Sequence, residues 1–358
     1  MKIMQIVGNR PQFIKLAILC KEMEQMDDPP IIIHTGQHFD KNMSDIFFEQ
    51  LHIPKPNYQL EVNHMSHNAM IGSMLTKIDQ IMALENPEMV VVYGDTNSTL
   101  AGALAAKKRS IPLAHIEAGV RTGNEEMPEE ANRYLSDRMA DLNFCCTYLN
   151  LENLQKEGYS SGLINSKIIN SGDLMLDATL SYQQLALERS TIMHDLDISK
   201  GFTLATIHRA ENTSSIHALR QIVAALNKIN EYSAVLFPMH PRTKTLITQH
   251  KIPMKFTVLE ALGYLDMLAL TQQARTVITD SGGLCREAFF LRRPTLVIMR
   301  SPFWPELFLH GPCLQSKASE IEILQMHQDL LNLKRAFKTD IFGDGQAARR
   351  INLAIQNF

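Results

Sequence analysis

Short apolar runs alternate with longer stretches of helical spacing along most of this chain. In the first half, the apolar runs fall at 3–7, 31–34, 89–93 and 111–116, and the stretches of helical spacing fall at 12–25, 42–51 and 101–108. Runs this short are typical of strands that are buried on both faces of a parallel sheet. The alternation therefore predicts an α/β fold built from βαβ units.

The second half of the chain repeats this pattern. Further strands are predicted at 201–206, 234–237, 256–259, 276–279 and 295–298, and a turn-forming cluster at 170–173 separates them from the first half. We expect two Rossmann-like, doubly wound domains with a cleft between them: 1–172, joined by a C-terminal helix at 345–358, and 173–344. The 358 residues suffice for two domains of ordinary size.

Composition argues against several classes of protein and of site. A formal net charge of -3 and the lack of a basic stripe argue against nucleic acid as a partner. No apolar stretch approaches the ~20 residues that span a membrane, and the apolar start is interpreted as a buried strand rather than a signal peptide, so we expect a cytoplasmic protein. The five cysteines show no Cys-x-x-Cys spacing and the 13 histidines are scattered, so we predict no metal.

Two carboxylates, Asp95 and Glu117, follow two successive apolar strands. In an open parallel sheet, ligands bind outside the carboxyl ends of the strands, so both acids are expected to face one crevice. The helix that starts at Pro128 offers Glu129 and Glu130, of which one complements the helix dipole and the other is available beside Glu117. Clustered carboxylates raise one another's pKa, which suits acid and base duties.

The segment 279–283 predicts an anion site. Ser281, Gly282 and Gly283 follow a strand and open a helix. Glycines allow an anion to approach backbone N–H groups, and a helix N-terminus carries about half a positive charge. A diphosphate fits such a turn, although a plain N-cap turn has the same pattern. Glu287, about one turn into the helix, is placed to reach a ribose hydroxyl pair or to form a capping interaction.

Two cations, Arg10 and Lys15, lie near the start of the first predicted helix. The dipole disfavours cations at that end of a helix, so a functional pair is preferred to a solvated one. Together they are candidates for neutralising a phosphate or for holding a catalytic acid in place.

Histidines follow two strands of the second half. His208 is a candidate acid or base because the ordinary pKa of histidine, about 6.5, lies near working pH, although a lone histidine is more often structural. His240 and Arg242 follow the next strand, and we expect this strand exit to contact a substrate carbonyl or phosphate.

These motifs resemble those of the non-hydrolysing UDP-N-acetylglucosamine 2-epimerase family over nearly the whole chain. The resemblance is carried by ordered motifs at 8–15, 35–38, 94–96, 115–122, 128–133, 208–212, 280–283 and 343–345. It implies two Rossmann-like domains of the GT-B type, a UDP-sugar substrate, no metal or redox cofactor, and a homodimer.

The resemblance also implies the reaction. A base removes the C2 proton of a UDP-linked 2-acetamido sugar, UDP departs, and UDP then adds back to the 2-acetamidoglycal with C2 protonated on the opposite face. The family's acid/base positions match Asp95, Glu117, Glu129 and His208. Its UDP contacts match Arg10, Lys15, Ser281, Gly282, Gly283 and Glu287. Glu129 is preferred to Glu130 because it directly follows Pro128, as the family residue does.

The chain departs from the family pattern at 284–285 and 300–304, beside the expected nucleotide pocket. The segments 10–13 and 42–48 resemble the branch that acts on UDP-2,3-diacetamido-2,3-dideoxyglucuronic acid, so two substrates stay open, and Arg242 is the candidate cation for a uronate. A GT-B glycosyltransferase, a hydrolysing 2-epimerase and an inactive binding protein are the rival functions. The four acid/base candidates exceed what a transferase requires and argue against an inactive protein.

Overall fold

The structure is a computed structural model that describes residues 1–24, 26, 28–37, 41–63, 65–162, 164–196, 198 and 201–358. It divides into two compact units, Met1–Ala178 with Asp340–Phe358, and Thr179–Thr339. The predicted helix end Gln25 and the motif residue His38 lie outside the described residues. No helix within the described ranges combines the length and the apolar character needed to cross a membrane.

The sheet of the first unit has seven strands among the described residues. They are β1 (Ile3–Val7), β2 (Ile31–His34), β3 (Tyr58–Gln59), β4 (Met89–Tyr93), β5 (Leu113–Ala118), β6 (Leu142–Cys145) and β7 (Lys167–Asn170). Their order across the sheet is 3-2-1-4-5-6-7, and every pairing is parallel. The strand order reverses between β1 and β4, and such a switch point is where α/β sheets bind ligands.

Helices follow the strands of this sheet along the chain. They are α1 (Arg10–Met23), α2 (Lys41–Gln50), α3 (His67–Glu85), α4 (Asn97–Lys108), α5 (Pro128–Met139), α6 (Tyr148–Lys156) and α7 (Leu174–Arg189). Asn9 and Thr96 start α1 and α4 with capping boxes. These caps satisfy backbone N–H groups at the helix starts, so α1 and α4 begin earlier than predicted, at Arg10 and Asn97.

The second unit repeats the same topology. Its strands are β8 (Thr203–Thr206), β9 (Val235–Pro238), β10 (Thr257–Leu259), β11 (Thr276–Thr279), β12 (Thr295–Ile298) and β13 (Cys313–Ser316). The order is β10-β9-β8-β11-β12-β13, again parallel throughout, with the switch point between β8 and β11.

The helices of the second unit pack on its sheet. They are α8 (Ile192–Asp195), α9 (Ala210–Thr213), α10 (Ile216–Ile229), α11 (Pro241–Gln249), α12 (Tyr264–Gln273), α13 (Gly282–Phe290), α14 (Pro305–His310) and α15 (Glu320–Asn332). Leu226 of α10 and Ile278 of β11 are fully buried in its core. This burial explains why its strands are apolar on both faces.

The predicted α/β class with two Rossmann-like sheets is confirmed. The hydrophobic pattern missed β3, β6 and β13. In β6, Asn143 is fully buried, and its amide nitrogen donates to the carbonyl of Asp137 at 3.0 Å and to Ser166 Oγ at 2.9 Å, so a buried polar residue interrupts the apolar run. β3 has only two residues, which is too short for periodicity to register.

The last helix, α16 (Ala347–Gln356), follows a short 3-10 helix at Thr339–Phe342 and packs on α1. The backbone N–H of Ala348 donates to Asp177 Oδ2 at 2.8 Å, and the N–H of Asp173 donates to the carbonyl of Phe342 at 2.8 Å. These bonds join the segment in which the chain leaves the first unit to the segment in which it returns. Both hydrogen bonds lie within the first unit, which comprises Met1–Ala178 and Asp340–Phe358.

Burial raises the pKa of Asp177 to about 6, from an ordinary value of 3.8. A carboxyl with a raised pKa favours folding only when protonated, so its contribution is present below about pH 4 and is lost as the pH rises through 6. We expect Asp177→Asn, which stays neutral and keeps an acceptor for Ala348, to increase the free energy of unfolding by roughly 1–2 kcal/mol at pH 8 and not at pH 4. Urea unfolding at both pH values measures this, with the exposed Asp329→Asn as the control; an equal effect at both pH values would contradict it.

Candidate active site

Gln12 joins the ends of β1 and β4 at the switch point of the first sheet. Its amide oxygen accepts from the N–H of Gly8 at 2.7 Å, and its amide nitrogen donates to the carbonyl of Tyr93 at 2.6 Å. The turns that carry Arg10 and Asp95 are therefore fixed relative to each other.

Glu117 lies in a β-bulge of β5. The pairing of β5 with β6 shifts register between Ile116 and Ala118, and Glu117 has φ 71°. Such a left-handed conformation costs a non-glycine residue on the order of 1–3 kcal/mol. The Glu117 carboxylate forms an ion pair with the ammonium of Lys15, which is 2% exposed on α1. Lys15 therefore contacts a candidate catalytic acid.

Arg133 of α5 holds the other strand-exit carboxylate. Its buried guanidinium pairs with Asp95 through Nη2 and with Glu130 through Nη1. The neighbouring Asn132 donates to the carbonyl of Asp95 at 2.9 Å. Burial works to lower the pKa of Arg133, but the two carboxylates raise it above its ordinary value, so the cation stays charged.

The two adjacent glutamates of α5 have different surroundings. Glu130 is 1% exposed, and its Oε1 accepts from the N–H groups of Thr122 at 2.9 Å and Gly123 at 3.0 Å. Burial works to raise the pKa of Glu130, but Arg133 and these N–H groups hold it below its usual range. Glu130 thus orders the loop before α5, and the half-buried Glu129 is the more accessible carboxylate.

Arg10 lies in the first turn of α1 and is half-buried. Its guanidinium carbon lies 5.7 Å from the ring centre of Phe47. The structure thus pairs Glu117 with Lys15 and Asp95 with Arg133, and places Arg10 against an aromatic ring at the same switch point.

Asp280 organises the switch point of the second sheet. It is fully buried, and its Oδ2 accepts from the N–H groups of His208 at 3.0 Å and Arg209 at 2.9 Å, and from Asn212 Nδ2 at 3.0 Å. Burial works to raise the pKa of Asp280, but the bond from His208 and its other donors hold it below its usual range. The His208 ring is oriented through Nδ1, 3.2 Å from Asp280 Oδ1, and its side chain is 38% exposed.

Ser281 opens α13 directly after β11. Its Oγ accepts from the N–H of Leu284 at 3.3 Å, so the N-cap interpretation is observed. A Cβ added to Gly282 would lie 2.9 Å from the ring of Phe303, whereas one added to Gly283 would meet only Ser281 Oγ, at 3.9 Å. The turn places backbone N–H groups at a helix N-terminus, which is the arrangement that binds a diphosphate.

His240 caps α11 by accepting from the N–H of Arg242 at 3.2 Å through Nδ1. Its ring stacks on that of His208, with centroids 5.6 Å apart. Arg242 is exposed, with Nη2 3.5 Å from Ser214 Oγ. The structure therefore brings His208 and His240 together and places a cation beside them.

The departures from the family pattern pack behind the Ser281 turn. Cys285 and Trp304 are both buried, and the guanidinium of Arg286 lies 4.1 Å from the Trp304 ring centre. Glu287 is buried on the same helix beside Tyr264, whose pKa is raised first by burial and then by the Glu287 charge. These side chains support the turn from within the unit.

One group in the described part of the chain has the spacing of metal ligands. Glu117, Cys146 and Asp173 bring their ligand atoms within 4.8 Å of one another. Glu117 already pairs with Lys15, and Asp173 Oδ1 accepts from the N–H of Met175 at 2.8 Å. Both carboxylates therefore have structural partners.

The family described as UDP-N-acetylglucosamine 2-epimerase matches residues 21–356. The chain belongs to this family. It is a carbohydrate epimerase, and hence an isomerase.

Two relatives and one solved structure illustrate the similarity. The UDP-2,3-diacetamido-2,3-dideoxy-D-glucuronate 2-epimerase of Pseudomonas aeruginosa is 44% identical, over 98% of each chain. A UDP-N-acetylglucosamine 2-epimerase homolog of Methanococcus maripaludis is 40% identical, over 100% of each. The crystal structure of the Methanocaldococcus jannaschii UDP-GlcNAc 2-epimerase with UDP-GlcNAc and UDP covers 100% of both chains at 34% identity and TM-score 0.93. The predicted GT-B class is confirmed.

Sequence reasoning missed the residues that hold the candidate acids and bases of this epimerase. Arg133 and Asp280 belong to the sequence motifs 128–133 and 280–283, but neither residue was assigned a role from the sequence. The signal for Arg133 was its position three residues after Glu130, since helical residues at that spacing meet. Asp280 had the same signal as Asp95, a carboxylate at a strand exit.

Glu129 and Glu130 form a matched pair for a test of stability. We expect Glu130→Gln to lower the free energy of unfolding by about 2–4 kcal/mol, because it weakens two backbone hydrogen bonds and removes a buried partner of Arg133. Glu129→Gln should change it by less than about 0.5 kcal/mol, because Glu129 is half-buried. Urea unfolding at pH 7 measures both variants, and equal losses would refute the division of roles.

Proposed function

We propose that this chain inverts C2 of a UDP-linked 2-acetamido sugar without releasing the free sugar. The observation that carries the proposal is the pairing of two strand-exit carboxylates with buried cations, Glu117 with Lys15 and Asp95 with Arg133. Relatives named UDP-N-acetylglucosamine 2-epimerase support the sugar class.

The proposed reaction is an elimination followed by an addition. One base takes the C2 proton, the C2–H electron pair becomes the C1=C2 double bond, and the C1–O bond breaks with its electron pair leaving on UDP. A UDP oxygen then bonds to C1 while an acid on the opposite face gives a proton to C2. The two steps consume no oxidant and no water. The proposed acids and bases of the reaction are Asp95, Glu117, Glu129 and His208.

Departure of UDP places negative charge on the diphosphate. The first turn of α13, with Ser281, Gly282 and Gly283, is the proposed diphosphate site, because its N–H groups and helix dipole favour an anion. Arg10, Lys15 and His240 are proposed to contact the same nucleotide, and Glu287 its ribose. Retention of UDP is what separates an epimerase from a hydrolase.

A second candidate substrate is UDP-2,3-diacetamido-2,3-dideoxyglucuronate. The relative named for that substrate is more similar to this chain than the Methanocaldococcus jannaschii UDP-N-acetylglucosamine 2-epimerase, at 44% against 36% identity. The carboxylate of the glucuronate sugar requires a cation, and the exposed Arg242 is proposed to contact it. We also propose that the protein is a cytoplasmic homodimer serving polysaccharide biosynthesis.

The first test follows both UDP-sugars by proton NMR in deuterated water. We expect deuterium at C2 and a UDP-linked product of manno configuration from at least one of them. Free sugar and UDP would indicate a hydrolase, and UDP release only with an added acceptor would indicate a transferase. No exchange with either sugar would overturn the proposal.

Variants test the carboxylates that carry the proposal. We expect Glu117→Gln and Asp95→Asn to lower kcat by about 100-fold or more, because each removes a proposed proton acceptor. The matched control is Glu152→Gln, an exposed carboxylate on α6 that lies 3.9 Å from the ammonium of Lys156. Wild-type kcat in either site variant would contradict the assignment.

A further inference from the structure

Asp137 of α5 lies beneath the turn that carries Glu117. Asp137 and His115 are both 0% exposed. Asp137 Oδ1 lies 2.7 Å from His115 Nδ1, and its Oδ2 accepts from the N–H of Gly119 at 3.1 Å. One carboxylate therefore binds the chain on both sides of Glu117, two residues before it and two residues after it.

His115 extends this contact to the neighbouring strand exit. Its Nε2 lies 2.7 Å from the carbonyl of Gly94, the residue before Asp95. A carboxylate and a carbonyl are both acceptors, so each ring nitrogen of His115 faces an acceptor. The turn of Asp95 and the turn of Glu117 are thus joined through one buried side chain.

Backbone conformation and close packing also constrain Gly119. Its φ is 76°, and an added Cβ would lie 2.2 Å from the carbonyl oxygen of Asn150, so only glycine fits. Its carbonyl accepts from Asn153 Nδ2 at 3.0 Å. The chain on the C-terminal side of Glu117 therefore has a single arrangement.

The charge of Asp137 is balanced within the same cluster. Arg121 Nη1 lies 2.7 Å from Asp137 Oδ2, and Arg121 Nε pairs with Glu157 Oε1 at 2.8 Å. Burial works to raise the pKa of Asp137, but His115 and Arg121 hold it below its usual range. The carboxylate is thus ionised at neutral pH and accepts from all its donors.

We propose that Asp137 is a positioning residue for Glu117: by binding His115 and Gly119 it maintains the left-handed bulge that presents the Glu117 carboxylate to Lys15 and to the sugar. Backbone strain persists only where surrounding contacts determine it, and Asp137 makes those contacts on both sides. The inference rests on the proposed function, in which Glu117 exchanges a proton with C2.

The test compares Asp137→Asn with Asp141→Asn in the same C2-exchange assay. The Asp137→Asn amide nitrogen cannot accept, so we expect kcat to fall about 10- to 100-fold while KM changes less than about threefold. Asp141 is the matched control because it accepts from the N–H of Leu113 at 2.9 Å, at the start of the same strand. Asp141→Asn should keep wild-type kcat.

A double variant separates positioning from general destabilisation. If Asp137 acts through Glu117, adding Asp137→Asn to Glu117→Gln lowers the residual C2 exchange no further. If Asp137 is only structural, the two losses multiply, and the proposal fails. Wild-type kcat in Asp137→Asn would also overturn it.

His115→Gln serves if Asp137→Asn does not fold. It keeps the Asp137 contacts with Arg121 and Gly119, and its one amide nitrogen reaches only one of the two acceptors, which lie on opposite sides of the ring in the wild-type protein. We expect a smaller fall in kcat, again with little change in KM, and an unchanged kcat would count against the proposal. A crystal structure of either variant gives a test that does not depend on activity. We expect the φ of Glu117 to depart from 71°. An unchanged Glu117 backbone would overturn the inference, even if the wild-type protein acts on another substrate.

Discussion

Carboxylates at the exits of parallel strands need partners, and helix α5 supplies several of the contacts that hold them in the first unit. Arg133 binds the carboxylate of Asp95, Asn132 binds the backbone of the same turn, and Asp137 binds the chain on both sides of Glu117. Loss of one partner from a buried pair costs about 3–5 kcal/mol, so these contacts stabilise one another's geometry. The candidate acids are therefore as well ordered as the helix that holds them.

In the second unit, too, a carboxylate at a strand exit is held by hydrogen-bond donors, and there it orients a histidine. Asp280 is buried at a strand exit and accepts from His208, Arg209 and Asn212, and directly after it Ser281 opens a helix. A carboxylate that orients a histidine beside a helix N-terminus combines a proton-exchanging group with an anion site. The second sheet thus carries a candidate proton-exchanging group and a candidate anion site, whereas the first sheet carries two candidate carboxylates.

Sequence periodicity predicted the fold class and the strands that lead to the site, because strands buried on both faces show as uninterrupted apolar runs. It missed β6, where the buried amide of Asn143, which donates to the carbonyl of Asp137 and to Ser166 Oγ, interrupts the apolar run. Residue types at strand exits predicted Asp95, Glu117 and His208 as candidates. The residues that orient them escaped notice, because the contacts of Asp137 join positions that only the folded chain brings together, and the left-handed φ of Glu117 has no sequence signature.

In the proposed reaction, UDP leaves the sugar and returns. The most direct test of this step places oxygen-18 in the bridge between C1 and the β-phosphate of the substrate and follows its position by phosphorus NMR during epimerisation. If UDP departs, the β-phosphate can rotate before it adds back, so the account predicts that label moves into non-bridging positions of recovered substrate. Inversion at C2 with the label still entirely in the bridge would contradict it, because the C1–O bond would then never have broken.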